Sequence, residues 1–227
     1  MDVRLASLYS GGKDSTYSVY LAERMGHRVT HLLTVIPSGE DSLFFHYPNA
    51  WITALQAEAM GKEHLAIESP TGREAELEAL GRLLDTVAGK VEGVVVGALA
   101  SRFQYEAFNR LCRERGLDVL APLWGKNPLK LLREVVAEGF EVIITGVAAA
   151  GLGEEMLGRR ITPELIRLIE DVSRRMGVHP GGEGGEFETL VLDSPMFRKR
   201  IEVLSSEKVW RGDRGVLYIR RARLRER

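Results

Sequence analysis

The 227-residue chain has a single cysteine, Cys112. That excludes an intrachain disulfide, and with it the Cys-x-x-Cys pairs that hold structural zinc or relay sulfur. A reducing, cytoplasmic setting is the simplest expectation. Long apolar runs are also missing, and none approaches the roughly 18 residues of a membrane helix, so no membrane partner is expected. Met1-Asp2-Val3-Arg4 leads straight into a strand pattern, and no signal peptide is expected. Neither sign of charge dominates, with 31 Lys and Arg against 32 Asp and Glu. This excludes a globally basic nucleic-acid coat and disfavours nucleic acid as a partner. Repeats and low-complexity tracts are absent. What remains is an ordinary globular composition, 44% hydrophobic and 28% charged. A chain of this length makes one large or two small domains and buries about 70% of its unfolded surface, so it needs no staple.

Short apolar runs alternate with helical patterns through the first half. Val3 to Tyr9 reads as a strand, and a helix with Val19, Tyr20 and Met25 on one face follows it. Val29 to Ile36 is the second strand and Ala50 to Met60 the next helix, stopped by Gly61. Leu77, Leu80, Leu84 and Val87 recur at helical spacing. Gly93 to Ala98 is apolar without alternation, as a strand buried on both faces of a parallel sheet would be. A helix from Phe103 to Arg115 and a short strand at Val119–Leu120 complete the unit. The fold class is therefore α/β, an open, mostly parallel sheet whose ligands belong beyond the carboxyl ends of its strands. Beyond residue 121 the texture changes. Helices are expected at Leu129–Glu138 and Pro163–Met176, with strands at Val142–Val147, Leu190–Leu192, Ile201–Val209 and Val216–Ile219. We read 1–121 as one domain and 122–227 as a second, smaller α+β domain.

Ser10-Gly11-Gly12-Lys13-Asp14-Ser15 stands where the first strand turns into the first helix. Glycine lets the backbone turn tightly and approach a ligand, and the first N–H groups of the helix then face an anion. Lys13 adds a point charge, Ser10 and Ser15 add hydroxyls, and Asp14 is the candidate Mg²⁺ ligand beside a phosphate. The Walker pattern fails because position 7 is Ser and Asp14 follows Lys13, and the dinucleotide pattern G-x-G-x-x-G fails too. A second signal lies at Gly182-Glu183-Gly184-Gly185-Glu186-Phe187-Glu188-Thr189. Glu186 and Glu188 share a side if the segment is extended. Paired carboxylates hold a metal, act as a base or face a cationic group, and the pattern leaves these open beside a plainly solvated loop.

The hexapeptide resembles the PP-loop of N-type ATP pyrophosphatases, which cleave ATP between the α and β phosphates. Together with the Glu183–Glu188 stretch it resembles the archaeal diphthine–ammonia ligases. Asp41-Ser42-Leu43-Phe44-Phe45-His46, Gln56-Ala57-Glu58-Ala59-Met60-Gly61, Gly97-Ala98-Leu99-Ala100-Ser101-Arg102-Phe103-Gln104, Pro122-Leu123-Trp124-Gly125 and Leu157-Gly158-Arg159 are similar to that family's motifs. Phe103, Ala107 and Met156 depart from its pattern, which has Tyr, Arg and an aromatic there. The resemblance implies ATP and Mg²⁺ as cofactors, elongation factor two bearing diphthine as acceptor, and ammonia or ammonium as the nitrogen source. It also implies an acyl-adenylate intermediate, with Lys13, Asp14, Glu186 and Glu188 as the catalytic set. Diphthine carries a trimethylammonium group, for which Glu186 and Glu188 with Trp124 or Phe187 are the candidates. Two other readings stay open: a pyrophosphatase for another carboxylate or a tRNA, and an ATP-sensing module without turnover.

The remaining candidates are contacts to substrate. His46 and Asn49 follow the second strand and read either as a lid or as an ordinary loop. Ser101 and Gln104 follow the Gly93–Ala98 strand, with helix capping as the alternative for Ser101. Glu183 and Thr189 flank the paired carboxylates, and Trp124 reads as packing between domains or as a substrate face. Cys112, in line with Phe108 and Leu111, is expected in the core. Residues 198–227 hold eleven Lys and Arg against four Asp and Glu. We read that excess as charge that blocks edge pairing, with an acidic partner as the alternative. A homodimer stays open.

Overall fold

Short runs spaced by helices become a five-stranded sheet. In the computed structural model, which describes residues 3–39, 49–97 and 102–227 without the side chains of 102–104, the chain divides into two units, Met1–Trp124 and Gly125–Arg227. The first unit runs β1 (Arg4–Leu8), α1 (Lys13–Arg24), β2 (Arg28–Pro37), α2 (Ile52–Met60), β3 (Glu63–Ser69), α3 (Arg73–Val87), β4 (Gly93–Val95), α4 (Arg102–Arg113) and β5 (Asp118–Leu120). Its sheet has the order β3-β2-β1-β4-β5, and every pairing is parallel. The chain winds outward from β1 to β3, then resumes on the other side of β1 at β4. The switch point therefore lies between β1 and β4, where such sheets bind ligands.

β3 is the element the apolar pattern does not announce. Glu63-His64-Leu65-Ala66-Ile67-Glu68-Ser69 has only three apolar residues, flanked by polar ones, and forms an edge of the sheet, paired along its whole length with β2 from His31↔Glu63 to Pro37↔Ser69. An edge strand is half wet, so its hydrophobic signal is diluted. At β4 the ladder stops at Val95, shorter than the apolar run that follows Gly93.

Apolar side chains of α3, among them Leu80, Leu84 and Val87, pack on Ala6, Leu33 and Val94 of the sheet, with Phe108 and Cys112 of α4 in the same cluster. Cys112 is fully buried, and that burial pushes its thiol up to about 12.

The second unit contains α5 (Pro128–Ala137), β6 (Glu141–Val147), a 3-10 turn (Glu154–Met156), α6 (Pro163–Met176), β7 (Phe187–Asp193), β8 (Arg200–Arg211) and β9 (Arg214–Arg225). Both helices start as their sequences dictate. Asn127 caps α5 by accepting from Lys130 N–H at 3.0 Å, Thr162 caps α6 by accepting from Leu165 N–H at 3.3 Å, and proline fills the first turn of each. The sheet order is β7-β6-β9-β8, antiparallel throughout. On the β8–β9 hairpin the basic excess is tied across strands: Glu202 meets Arg223 at 2.7 Å and Arg225 at 3.0 Å, and Glu207 meets Arg220 at 2.8 Å. The hydrogen bond from Arg223 holds the Glu202 carboxyl below the usual carboxylate range. β8 is a sheet edge, and these charges suit an edge that resists pairing with another chain. Among the described residues no helix is long and apolar enough to cross a membrane.

The buried thiol gives a first prediction. Its folded pKa is raised, so its contribution to stability is full below the ordinary thiol value of 9.0 and is lost as pH rises from there towards 12. At mildly alkaline pH native Cys112 should resist a maleimide and label fully only in denaturant. Labelling of the native chain at the rate of a free thiol would show that α4 does not hold Cys112 in the core.

Candidate functional site

The turn from β1 into α1 is built from the residues singled out in the sequence. Gly11 adopts φ +81°, the left-handed region that glycine enters without strain, and Gly12 is the N-cap in extended geometry. Thr16 N–H makes the first helical bond, to Gly12 C=O at 3.1 Å, so the N–H groups ahead of it face out of the helix end. The serines brace the turn. Ser10 Oγ and Ser15 Oγ are 3.1 Å apart, and Ser15 Oγ donates to Gly12 C=O at 3.2 Å. Beneath the loop, Thr16 Oγ1 donates to the same carbonyl at 2.8 Å and lies 3.0 Å from the Tyr9 hydroxyl. Burial pushes the Tyr9 phenol well above its usual range, so it stays a neutral hydrogen-bonding group.

Lys13 is 3% exposed, and its ammonium donates to Asp14 Oδ2 at 2.7 Å. A buried ammonium needs such a partner, because an isolated one is very costly. The other oxygen, Asp14 Oδ1, is buried without a hydrogen-bond partner among the described residues. A hard cation takes that kind of oxygen. Among the described residues no group of three His, Cys, Asp or Glu side chains could hold a metal ion.

Sequence reasoning missed the support for this loop. Gln56 of α2 is fully buried and donates through Nε2 to Gly11 C=O at 2.9 Å. A Cβ on Gly11 would lie 2.5 Å from Gln56 Oε1 and 3.2 Å from Thr53 Cγ2. Thr53 in turn bonds His64 of β3 at 3.0 Å, and burial lowers the imidazole pKa there. From the other side, a Cβ on Gly97 would lie 2.9 Å from Ser15 N. A buried glutamine in a helix was the available signal; its partner forty-five positions away was not.

Of the expected substrate contacts in this unit, His46 and Ser101 lie outside the described residues, as does the side chain of Gln104, which sits on α4. Asn49 is buried, adopts φ +67° and begins the turn into α2, where its carbonyl accepts from Ile52 N–H at 2.9 Å. Trp124, 40% exposed, stacks obliquely on Tyr105 with ring centroids 4.8 Å apart.

In the second unit the glycine-rich stretch forms a tight loop ahead of β7. Glu186 does not sit in the strand. Its Oε1 accepts from His179 N–H at 3.0 Å and its Oε2 from Gly184 N–H at 2.8 Å, so this carboxylate organises its own loop. His179, which sequence reasoning passed over, braces the same loop by accepting at Nδ1 from Gly181 N–H at 3.3 Å and Glu183 N–H at 3.4 Å. Glu188 and Thr189 stand in β7 opposite Gly146 and Ile144 of β6, and both are partly exposed. Phe187 is 3% exposed and belongs to the core, so its ring face is not offered to a cation.

With this geometry in hand, the similarity to known proteins is specific. Residues 3–119 match the diphthamide synthase N-terminal domain and residues 127–224 the diphthamide synthase C-terminal domain. The chain belongs to the diphthamide synthase family. It is 37% identical to the diphthine–ammonia ligase of Mus musculus over 98% of this chain and 92% of that protein. It is 36% identical to the one from Homo sapiens, over 91% and 85%. A solved structure from Methanocaldococcus jannaschii, described as a predicted subunit of tRNA methyltransferase, matches 85% of this chain and 98% of its own with a TM-score of 0.45 and 18% identity.

Two departures from the diphthamide synthase pattern find a physical place. Met156 is 1% exposed and Ala107 8%, so both fill core positions. Gly11 offers the sharper test. Gly11→Ala adds a side chain in the left-handed region and against Gln56; Gly26→Ala, at φ +90° with open space around it, adds the first cost alone. Gly26→Ala should lose about 1 kcal/mol and Gly11→Ala about 1 to 2 kcal/mol more in denaturant unfolding. Equal losses would show that the Gln56 contact does not constrain the loop.

Proposed function

We propose that this chain catalyses ATP-dependent amidation of diphthine on elongation factor two, giving diphthamide. The observation that carries the reading is the β1–α1 turn: a left-handed Gly11, a helix start whose first N–H groups make no helical bond, a buried Lys13 ammonium paired with Asp14, and an Asp14 oxygen without a hydrogen-bond partner among the described residues, in a chain matched along both halves to diphthamide synthase.

A carboxylate is a poor acylating group, because its leaving group would be oxide. In the proposed reaction a diphthine carboxylate oxygen attacks the α phosphorus of ATP, and pyrophosphate leaves. Ammonia then attacks the acyl carbon of the adenylate, AMP leaves with its bonding pair, and the surplus ammonium proton passes to a base. Ser10, Gly11, Gly12 and Ser15 cradle the departing pyrophosphate through helix N–H groups and hydroxyls. Lys13 neutralises charge that grows on it. Asp14 would hold Mg²⁺, which shields the phosphates and favours their displacement. The residues fit that ion because Asp14 Oδ1 is buried and lacks a hydrogen-bond partner among the described residues.

We assign the nucleotide chemistry to residues 1–121 and acceptor recognition to 122–227. His46, Asn49, Ser101, Gln104 and Trp124 contact substrate around the nucleotide. Glu183, Glu188 and Thr189 do so from the second domain, and Glu186 acts as a positioning residue for that loop. The single buried thiol suits a cytoplasmic enzyme, and with no nucleophilic cysteine to release ammonia from glutamine, the nitrogen comes as free ammonia or ammonium or is delivered by a partner.

The test is AMP release from ATP, Mg²⁺ and ammonium, with and without elongation factor two bearing diphthine. AMP should appear only with the modified factor, alongside a mass loss of about one dalton on it as –OH becomes –NH₂. AMP without that dependence would assign the loop to another carboxylate or a tRNA, and bound ATP without AMP would make the chain a sensor. Asp14→Ala and Ser15→Ala should each cut the AMP rate by roughly a hundred-fold or more without unfolding the chain. Retained turnover in both would put the chemistry elsewhere.

A further inference from the structure

Tyr105, in the first turn of α4, and Trp124, just after β5, bring their rings to 4.8 Å with planes inclined by 41°. With Glu106 and Ala121 they line an open cleft of about 390 Å³. Neither ring is loosely held. Tyr105 and Ala121 pack on the core cluster of the first unit, and Trp124 N–H donates to Ala121 C=O at 3.1 Å. Inclined rings in contact make a notch, not a slot. A planar group wants two parallel faces, whereas a tetrahedral cation rests against both walls of a notch.

Charge narrows the ligand further. Other aromatic faces carry the chain's own cations: Arg24 lies 5.6 Å from the centre of the Tyr20 ring and Arg220 5.0 Å from that of Tyr218. Among the described residues that line the Tyr105–Trp124 cleft, the charged one is Glu106, which is exposed. Two π faces with an adjoining carboxylate attract a weakly hydrated cation that donates no hydrogen bonds.

We propose that Tyr105, Trp124 and Glu106 form a site for a quaternary ammonium group, which on the ligase reading above is the trimethylammonium of diphthine. Placement supports that assignment. All five strands of the first sheet are parallel, so the exits of β1, β4 and β5 share one edge, and β5 lies two strands from β1. At about 4.8 Å per strand the notch is roughly 10 Å to the side of the phosphate turn. Diphthine carries its ammonium on the carbon next to its carboxylate. An α phosphate reaching out from the turn would meet that carboxylate with the methyl groups lying against the notch.

The test separates this site from the ligase reading. In ¹⁵N-labelled protein, with the Trp124 indole N–H assigned through Trp124→Phe, tetramethylammonium chloride is titrated against tert-butyl alcohol, a neutral body of similar shape. The Trp124 signal should move saturably with the cation and much less with the alcohol, and Tyr105→Leu or Glu106→Gln should weaken the cation roughly five-fold or more. A signal that stays still, or that follows both probes equally, overturns the site. In turnover with the diphthine-bearing factor, Trp124→Leu should raise KM for the factor about ten-fold with KM for ATP unchanged, and Trp124→Phe should recover most of it. AMP formation with an indifferent Trp124 would sink the notch and leave the ligase standing. A cation-dependent shift without AMP would sink the ligase reading and keep the ammonium site.

Discussion

The backbone contact between the end of β4 and the first turn of α1 is the constraint around which the first unit is arranged. Gly97 comes so close that a single added carbon would lie 2.9 Å from Ser15 N and 3.1 Å from the Asp14 carbonyl carbon. On the opposite side, Gln56 grips the Gly11 carbonyl and fills the space a Cβ there would need. The turn is thus held from β4 on one flank and α2 on the other, and neither flank leaves room for a side chain. That is how a helix start is held in one geometry and not left to fray: its N–H groups keep their direction because the backbone beneath them cannot shift.

Much of this arrangement was legible in the residues. The hexapeptide at the first strand's exit carries its chemistry locally, in two glycines, a lysine, an aspartate and two hydroxyls, so a short window suffices to read it. Helices α5 and α6 were legible for the same reason, since Asn127-Pro128 and Thr162-Pro163 write their caps into adjacent positions. β3 was not. It is an edge strand with Glu63 and Glu68 turned to water, and its membership is set by pairing with β2, information that no local pattern contains. The same holds for Gln56, whose partner is forty-five positions away, and for Tyr105, whose partner is Trp124.

In the glycine-rich carboxylate stretch the local geometry differs from what an extended segment would give. Spacing placed Glu186 and Glu188 on one side of an extended segment, but the strand begins only at Phe187. Ahead of it the chain curls, and Glu186 satisfies two backbone N–H groups that the tight loop would otherwise leave to water. An acidic residue among glycines is well suited to this, because the loop turns several donors inward and a carboxylate accepts more than one of them. Phe187 anchors the curl in the core, which is also why its ring cannot serve a ligand.

On the proposed reaction, the Lys13–Asp14 pair would link architecture to turnover through charge balance. Lys13 is nearly inaccessible, so at every stage it needs an anion beside it. Before nucleotide binds, Asp14 is that anion, at 2.7 Å. An entering triphosphate would offer the Lys13 ammonium a second anion, and Asp14 would then be free to hold a divalent cation. Two opposite charges would be exchanged for two others, with none stranded in a low-dielectric site. Replacing Asp14 by a neutral residue would remove both the proposed cation ligand and the carboxylate that accepts from the Lys13 ammonium at 2.7 Å. On that reading the two residues would work as one device, with the Asp14 carboxylate holding the buried ammonium until phosphate replaces it.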